Sequence, residues 1–256
     1  MRMRHTDPYD AIAVGAQFYE LNHGAQVRHR VEGLLPHISP PRVGVLDVGA
    51  GSGTPTLAMA RTWPGVPVHA VEPSRSMRIA LLTRIAEEGD LQRQVTVHPV
   101  AAHELTRTGF VDLVTAFWAL GMVEPDHWEA TLNALVGALV PGGALLTESS
   151  LGEAEEDAAA VQDYRGSTRL GEHTIEHGGH VETAPDGSGY GVFTYRWLDA
   201  DGHLLYEDHD HYEHRPGHAR PDLAGSLEAR GMVAERELDD PAAPGAHLTL
   251  WRRPAV

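Results

Sequence analysis

Between positions 43 and 149 the apolar residues fall in short runs separated by longer amphipathic stretches. The runs are VGVLDV (43–48), VPVHAVE (66–72), QVTVHPV (94–100), VDLVTAF (111–117) and GALLTES (143–149). Each is short, and VGVLDV in particular is rich in β-branched residues, as a buried strand is. The segments between them, TPTLAMARTW, SRSMRIALLTRIAEEG and HWEATLNALVGALV, repeat apolar residues at helical spacing. Strict alternation of strand and helix predicts an α/β protein: a parallel sheet with helices on both faces.

The rhythm differs on either side. Residues 7–24 and 25–38 read as two amphipathic helices. After Ser150, GEAEEDAAAVQDYRGS (152–167) reads as an exposed helix, and 171–183, 190–200 and 203–214 read as strands. Their turn-rich connections, APDGSG and ADGH, predict antiparallel hairpins. A helix over 221–231 and strands over 232–240 and 247–253 then complete the sheet.

Composition narrows the function. The 256 residues are 42% hydrophobic and 22% charged, which suits one globular domain carrying an insertion. The absence of cysteine removes disulfides, thiolate metal sites and a cysteine nucleophile. The start MRMRHTDPYD has no apolar signal core, and no apolar stretch approaches the ~18 residues of a membrane span, so a cytoplasmic location without membrane contact is expected. A formal charge of −16, with dispersed arginines, disfavours a nucleic-acid substrate.

The first run and its successor carry the chemistry. VGVLDVGAGSGTPTLAMA is a strand, a glycine-rich turn and a helix, with Ser52 or Thr54 able to cap the helix start. A dinucleotide site of the form G-x-G-x-x-G fits Gly49 and Gly51 but meets Thr54 at its last position, and a phosphate loop would need a lysine that is absent. Glu72 ends the next strand ~19 residues past Gly53, where a carboxylate can accept hydrogen bonds from both hydroxyls of a ribose.

LDVGAGSGTPTLAMA resembles the D/E-x-G-x-G-x-G signature of class I S-adenosylmethionine-dependent methyltransferases, with Asp47, Gly49, Gly51 and Gly53 at its positions. EPSRSM resembles that family's second motif, FVDLVTAFWAL its D-x-V-x-x strand, and LVPGGALLTES its L-x-P-G-G-x-L motif. The resemblance implies a Rossmann-like, seven-stranded, mostly parallel sheet with helices on both faces. It also implies an N-terminal helical cap and an antiparallel β insertion after the fifth strand. The expected divisions are 1–40 for the cap, 41–150 for the cofactor-binding core, 151–221 for an insertion forming the acceptor pocket and 222–256 for the end of the core. The cofactor implied is S-adenosylmethionine, with S-adenosylhomocysteine as product and no metal. Its implied contacts are Asp47, Gly49, Gly51, Gly53, Glu72, Pro73, Met77 and Phe117. The family's adenine-binding aspartate is replaced by Ala101, which leaves Ala102, His103 or main chain to meet the base.

The acceptor side is less defined. Tyr9, Phe18 and Tyr19 lie on the N-terminal helices, Trp118 follows the fourth strand, and Tyr212 lies in LYEDHDHYEHR. As a strand, that segment places Glu207, His209, His211 and Glu213 on one face. A histidine there, its tautomer fixed by a neighbouring acid, could serve as general base. Equally, the segment could be an edge strand charged against aggregation. Glu148, at the end of the fifth strand, is another base candidate. The plan resembles bacterial natural-product methyltransferases, and the expected acceptor is a small, nitrogen-containing aromatic such as an indole, methylated at carbon or nitrogen, or an amine such as an amino sugar. Monomer and homodimer are both compatible. The competing readings are a non-catalytic cofactor-binding protein and a nicotinamide-dependent oxidoreductase.

Overall fold

The computed structural model describes residues 13–149, 160–183, 189–214 and 222–255. Helix α1 (Ala13–Leu34) runs through Gly24 as one element where two helices were expected. Buried Val27, Val31 and Leu34 recur along it at helical spacing, and that burial outweighs the ~1 kcal/mol a mid-helix glycine costs.

The five apolar runs become β1 (Val45–Val48), β2 (Val68–Val71), β3 (Val95–His98), β4 (Val111–Ala116) and β5 (Leu139–Glu148). Between them lie α2 (Thr54–Thr62), α3 (Arg75–Ala86), the short α4 (Gly89–Gln94) and α5 (Pro125–Ala138). A separate sheet follows, made of β6 (Ala160–Leu170), β7 (His173–Thr183), β8 (Gly189–Leu198) and β9 (Leu204–His214), antiparallel in that order. The chain then returns through α6 (Leu223–Glu228), β10 (Val233–Asp239) and β11 (His247–Arg252).

The first sheet has the order β3-β2-β1-β4-β5-β11-β10. All neighbours from β3 to β5 are parallel, and β11 is antiparallel to β5 and to β10. Right-handed crossovers toward β3 and then back toward β5 put helices on opposite faces. They leave the carboxyl ends of β1 and β4 at a topological switch point, where open α/β sheets hold their ligands. Alternation along β1 divides its side chains. Leu46 and Val48 join Val114, Leu132, Leu135 and Leu227 in the main apolar core, while Asp47 reaches Thr56 of α2 and Thr115 of β4.

The expected helix over 152–167 is corrected in part: residues 160–167 belong to β6, paired with β7 from Ala160↔Thr183 to Leu170↔His173. Val161, Tyr164, Gly166 and Ser167 are weak helix formers, and a full ladder to a neighbouring strand decides the conformation. The remainder, 152–159, lies outside the described residues.

By packing, the chain divides into two units: residues up to 23 with 154–219, and residues 24–153 with 220–256. In the first unit Phe18, Ile175 and Tyr195 form a small core joined by Phe193 and Trp197. Among the described residues, no helix is long and apolar enough to cross a membrane.

Candidate functional site

The turn after β1 is held against the end of β2: the N–H groups of Gly49 and Ala50 both donate to the carbonyl of Val71, at 2.9 and 3.0 Å. Gly49 has φ +68°, and a Cβ there would lie 2.6 Å from the Cβ of Ala119, so only glycine fits beneath the residues that follow β4. Gly51, at φ +57°, is the opposite case. A Cβ on it would meet nothing nearer than a carbonyl at 4.0 Å, so bare main chain faces open space there. The residues therefore fit a ligand that lies along the backbone. Gly53 is itself the N-cap of α2, and no side chain caps that helix; Thr54 Oγ1 instead accepts from Arg84 at 2.9 Å.

Two carboxylates support this turn in different ways. Asp47, 1% exposed, accepts from the hydroxyls of Thr56 at 2.6 Å and Thr115 at 3.0 Å. Burial pushes its carboxyl up to about 6, against the pull of these hydrogen bonds and with a further push from Glu72. Glu72 sits at the loop itself: one oxygen accepts from the N–H of Gly51 and the other from that of Ser74, each at 2.7 Å. Arg78 closes the turn by donating to the carbonyls of Glu72 and Pro73. Met77 is buried in the first turn of α3, its N–H donating to the Ser74 cap.

Beyond β3, Ala101 is buried and Ala102 starts a short 3-10 turn that carries His103. The His103 ring stacks on His127 of α5, centroids 3.8 Å apart and planes 7° from parallel. Burial, then the neighbouring His127, lowers the pKa of His103.

At the ends of β4 and β5, Phe117 is buried, whereas Trp118 is 39% exposed. Glu148 Oε1 accepts from the Trp118 N–H and from Arg30 Nη1, each at 2.7 Å. Burial raises the pKa of the Glu148 carboxyl, opposed by these partners. Arg30 also forms a two-point pair with Asp240. Sequence reasoning missed Arg30, Asp240 and His127; Arg30 and Asp240 are 210 residues apart, and no local motif signals such a convergence. Thr56 and Thr115 were missed for the same reason, although they lie inside recognised segments.

The first unit holds the other candidates. Phe18 is buried and stacks on Tyr195 at 4.8 Å. Tyr9 and the side chains of Tyr19 and Tyr212 lie outside the described residues. Along β9 the faces separate as the spacing predicts. Asp208 and Asp210 pair with Tyr195 and Phe193 on the face that bears the small core, and Glu207, His209 and His211 pair with Arg196, Thr194 and Val192 on the other. On that second face His209 Nδ1 lies 3.1 Å from Thr194 Oγ1, its Nε2 lies 3.3 Å from Glu207, and His211 meets the hydroxyl of Tyr190 at 3.0 Å. A neighbouring groove of about 630 Å³ is lined by Arg165, Ser167, Glu176, His180, Thr194 and Arg196.

Residues 45–143 match the family described as "Methyltransferase domain". The fold is that of S-adenosylmethionine-dependent methyltransferases. The chain superposes with a TM-score of 0.65 on an S-adenosylmethionine-bound amino pentose methyltransferase of Micromonospora echinaspora involved in calicheamicin biosynthesis, at 19% identity and covering 91% of this chain and 90% of that one. DesVI of Streptomyces venezuelae gives a TM-score of 0.65 at 18% identity, with both chains fully covered. By sequence, ribosomal RNA small subunit methyltransferase G of Beutenbergia cavernae is 35% identical over 122 residues, 48% of this chain and 54% of that protein. The chain thus spans about half the length of the curated relatives it matches.

Proposed function

We propose that this protein transfers a methyl group from S-adenosylmethionine to a nitrogen-bearing small molecule of bacterial natural-product synthesis. The observation that carries the reading is the Gly51 main chain. It faces open space, with Glu72 at its N–H, at the switch point of a parallel sheet. Gly49, Gly51 and Gly53 supply backbone against which the cofactor's amino-acid and ribose portions lie. Glu72 takes the ribose hydroxyls, and Asp47 braces the turn from beneath. Met77, Ala101, Ala102 and His103 bound the adenine side, with Pro73 and Phe117 beside them. When bound, the cofactor supplies an electrophilic methyl on a positively charged sulfur.

The protein's remaining tasks are to align the acceptor carbon or nitrogen, exclude water and take up the proton that the acceptor's N–H gives up. Glu148, partly buried at the crevice edge, is suited to hold that N–H. The Glu207–His209 pair is a second candidate, supported if His209→Ala lowers turnover about tenfold or more with cofactor affinity intact. A nitrogen-containing aromatic ring, methylated at carbon or nitrogen, is the leading acceptor, and an amine is the second form, supported by the amino pentose methyltransferase among the structural neighbours.

A nucleic-acid acceptor has the ribosomal RNA methyltransferase likeness in its favour. A charge of −16, with arginines dispersed along the sequence, weighs against it. Incubation with methyl-labelled cofactor separates the readings: label is expected in an aromatic amine or heterocycle and not in ribosomal RNA. Label in RNA alone would overturn the small-molecule reading.

A further inference from the structure

Arg30 belongs to no motif, yet its guanidinium is engaged on every side. Nε donates to Asp240 Oδ1 at 3.1 Å and Nη2 to Oδ2, while Nη1 donates to Glu148 Oε1 at 2.7 Å. Its Cζ lies 3.6 Å from the centroid of the Trp118 ring. Arg30 is 3% exposed and Asp240 5%, so a buried cation stands between two carboxylates.

Trp118 is the one non-glycine residue with positive φ among the described residues, at +52°. That conformation is unfavourable for a bulky side chain. It persists because the surroundings over-determine it: the N–H is bound by Glu148 Oε1 and the ring lies against the guanidinium. Such strain held at the mouth of a site is a mark of function.

What the network leaves open is specific. Both donors converge on Oε1, and Oε2 of Glu148 accepts no hydrogen bond from another described residue. One face of Trp118 is covered by Arg30, while 39% of the residue stays exposed. A cation on one face draws the ring's π density toward itself. The open face then favours an electron-rich ring over a second cation.

We propose that Arg30 is a positioning residue for the methyl acceptor. Braced by Asp240, it holds the Trp118 indole and the Glu148 carboxylate as one wall, which takes a flat heteroaromatic ring on Trp118 and its N–H on Glu148 Oε2. This rests on the methyltransferase reading and narrows its acceptor to the aromatic form.

The test is calorimetry of indole and of cyclohexylamine against protein saturated with S-adenosylhomocysteine. Wild type is expected to bind indole in preference to the saturated amine. Arg30→Gln should weaken indole about tenfold, while cofactor affinity stays within about twofold. Among the described residues, the charged side chains facing Glu148 in this network are Arg30 and, behind it, Asp240. Removing the cation lets burial raise the Glu148 carboxyl further, so the Arg30→Gln defect should be deeper at about pH 6 than at about pH 8. Arg30→Lys keeps the charge without the stacked plane, and should abolish that pH dependence while restoring only part of the affinity. Unchanged indole affinity in Arg30→Gln, equal loss of cofactor and indole, or preference for cyclohexylamine would each overturn the proposal. Failure of wild type to bind the cofactor, seen before indole is added, would instead overturn the methyltransferase reading beneath it.

Discussion

The carboxyl-end edge of the parallel sheet and the outer face of the four-stranded sheet, opposite its small aromatic core, both carry carboxylates and threonine hydroxyls, and the fold treats them oppositely. At the edge, Asp47 and Glu72 are 1% and 6% exposed, and their oxygens are met by threonine hydroxyls and main-chain N–H groups from separate elements. On the outer face, the His209 side chain is 43% exposed, and its partners lie on its own strand or the adjacent one. Parallel strands all end at one edge, so the turns after them bring donors from distant segments to one place. An antiparallel ladder only sets neighbours beside neighbours. Loss of water, more than residue type, separates the two regions.

The sharpest break in that contrast comes at the turn. Gly49→Val places a branched Cβ where Ala119 already stands and forces a positive φ on a β-branched residue. Its affinity for S-adenosylhomocysteine should fall by more than about a hundredfold, roughly 3 kcal/mol. Retained binding would show that the ligand does not lie on this turn. Glu72→Gln is next. Losing charge-assisted hydrogen bonds of about 1.5–3 kcal/mol should weaken the same ligand about ten- to a hundredfold by calorimetry.

Asp47→Asn probes the buried side through pH. The folded-state pKa of Asp47, about 6, lies above its ordinary 3.8. Its favourable contribution is therefore complete below the unfolded value and is lost as pH rises through about 6. The melting temperature of Asp47→Asn relative to wild type should thus rise between about pH 4 and pH 7. A flat difference would mean that the threonines fully offset the burial. The smallest effect belongs to the other region: His209→Ala should leave S-adenosylhomocysteine affinity within about twofold, since an exposed side chain paired only within its own sheet has little leverage on the turn.

The strands and motifs of the core were legible because local pattern dictates them: β1 to β5 fall inside the five apolar runs or extend them, and the glycine turn and Glu72 stand where the motif spacing puts them. The sequence was least informative where pairing is non-local. Residues 160–167 read as helix from the alanine- and glutamate-rich stretch that precedes them, yet they form a strand because β7 lies alongside. The Arg30–Asp240–Glu148 cluster was invisible for a related reason, since its members come from three segments and share no periodicity. Asp47 was recognised as the motif acid, but its two threonine partners follow from the fold, since α2 and β4 must both pack against β1 for them to meet it.

The central claim is that the turn at 49–53, with Glu72, holds S-adenosylmethionine. Calorimetric titration of the wild-type protein with S-adenosylhomocysteine, followed by NADH, tests it most directly. The account predicts saturable one-site binding of S-adenosylhomocysteine that NADH does not displace. No heat with S-adenosylhomocysteine, or saturable binding of NADH in its place, would contradict it.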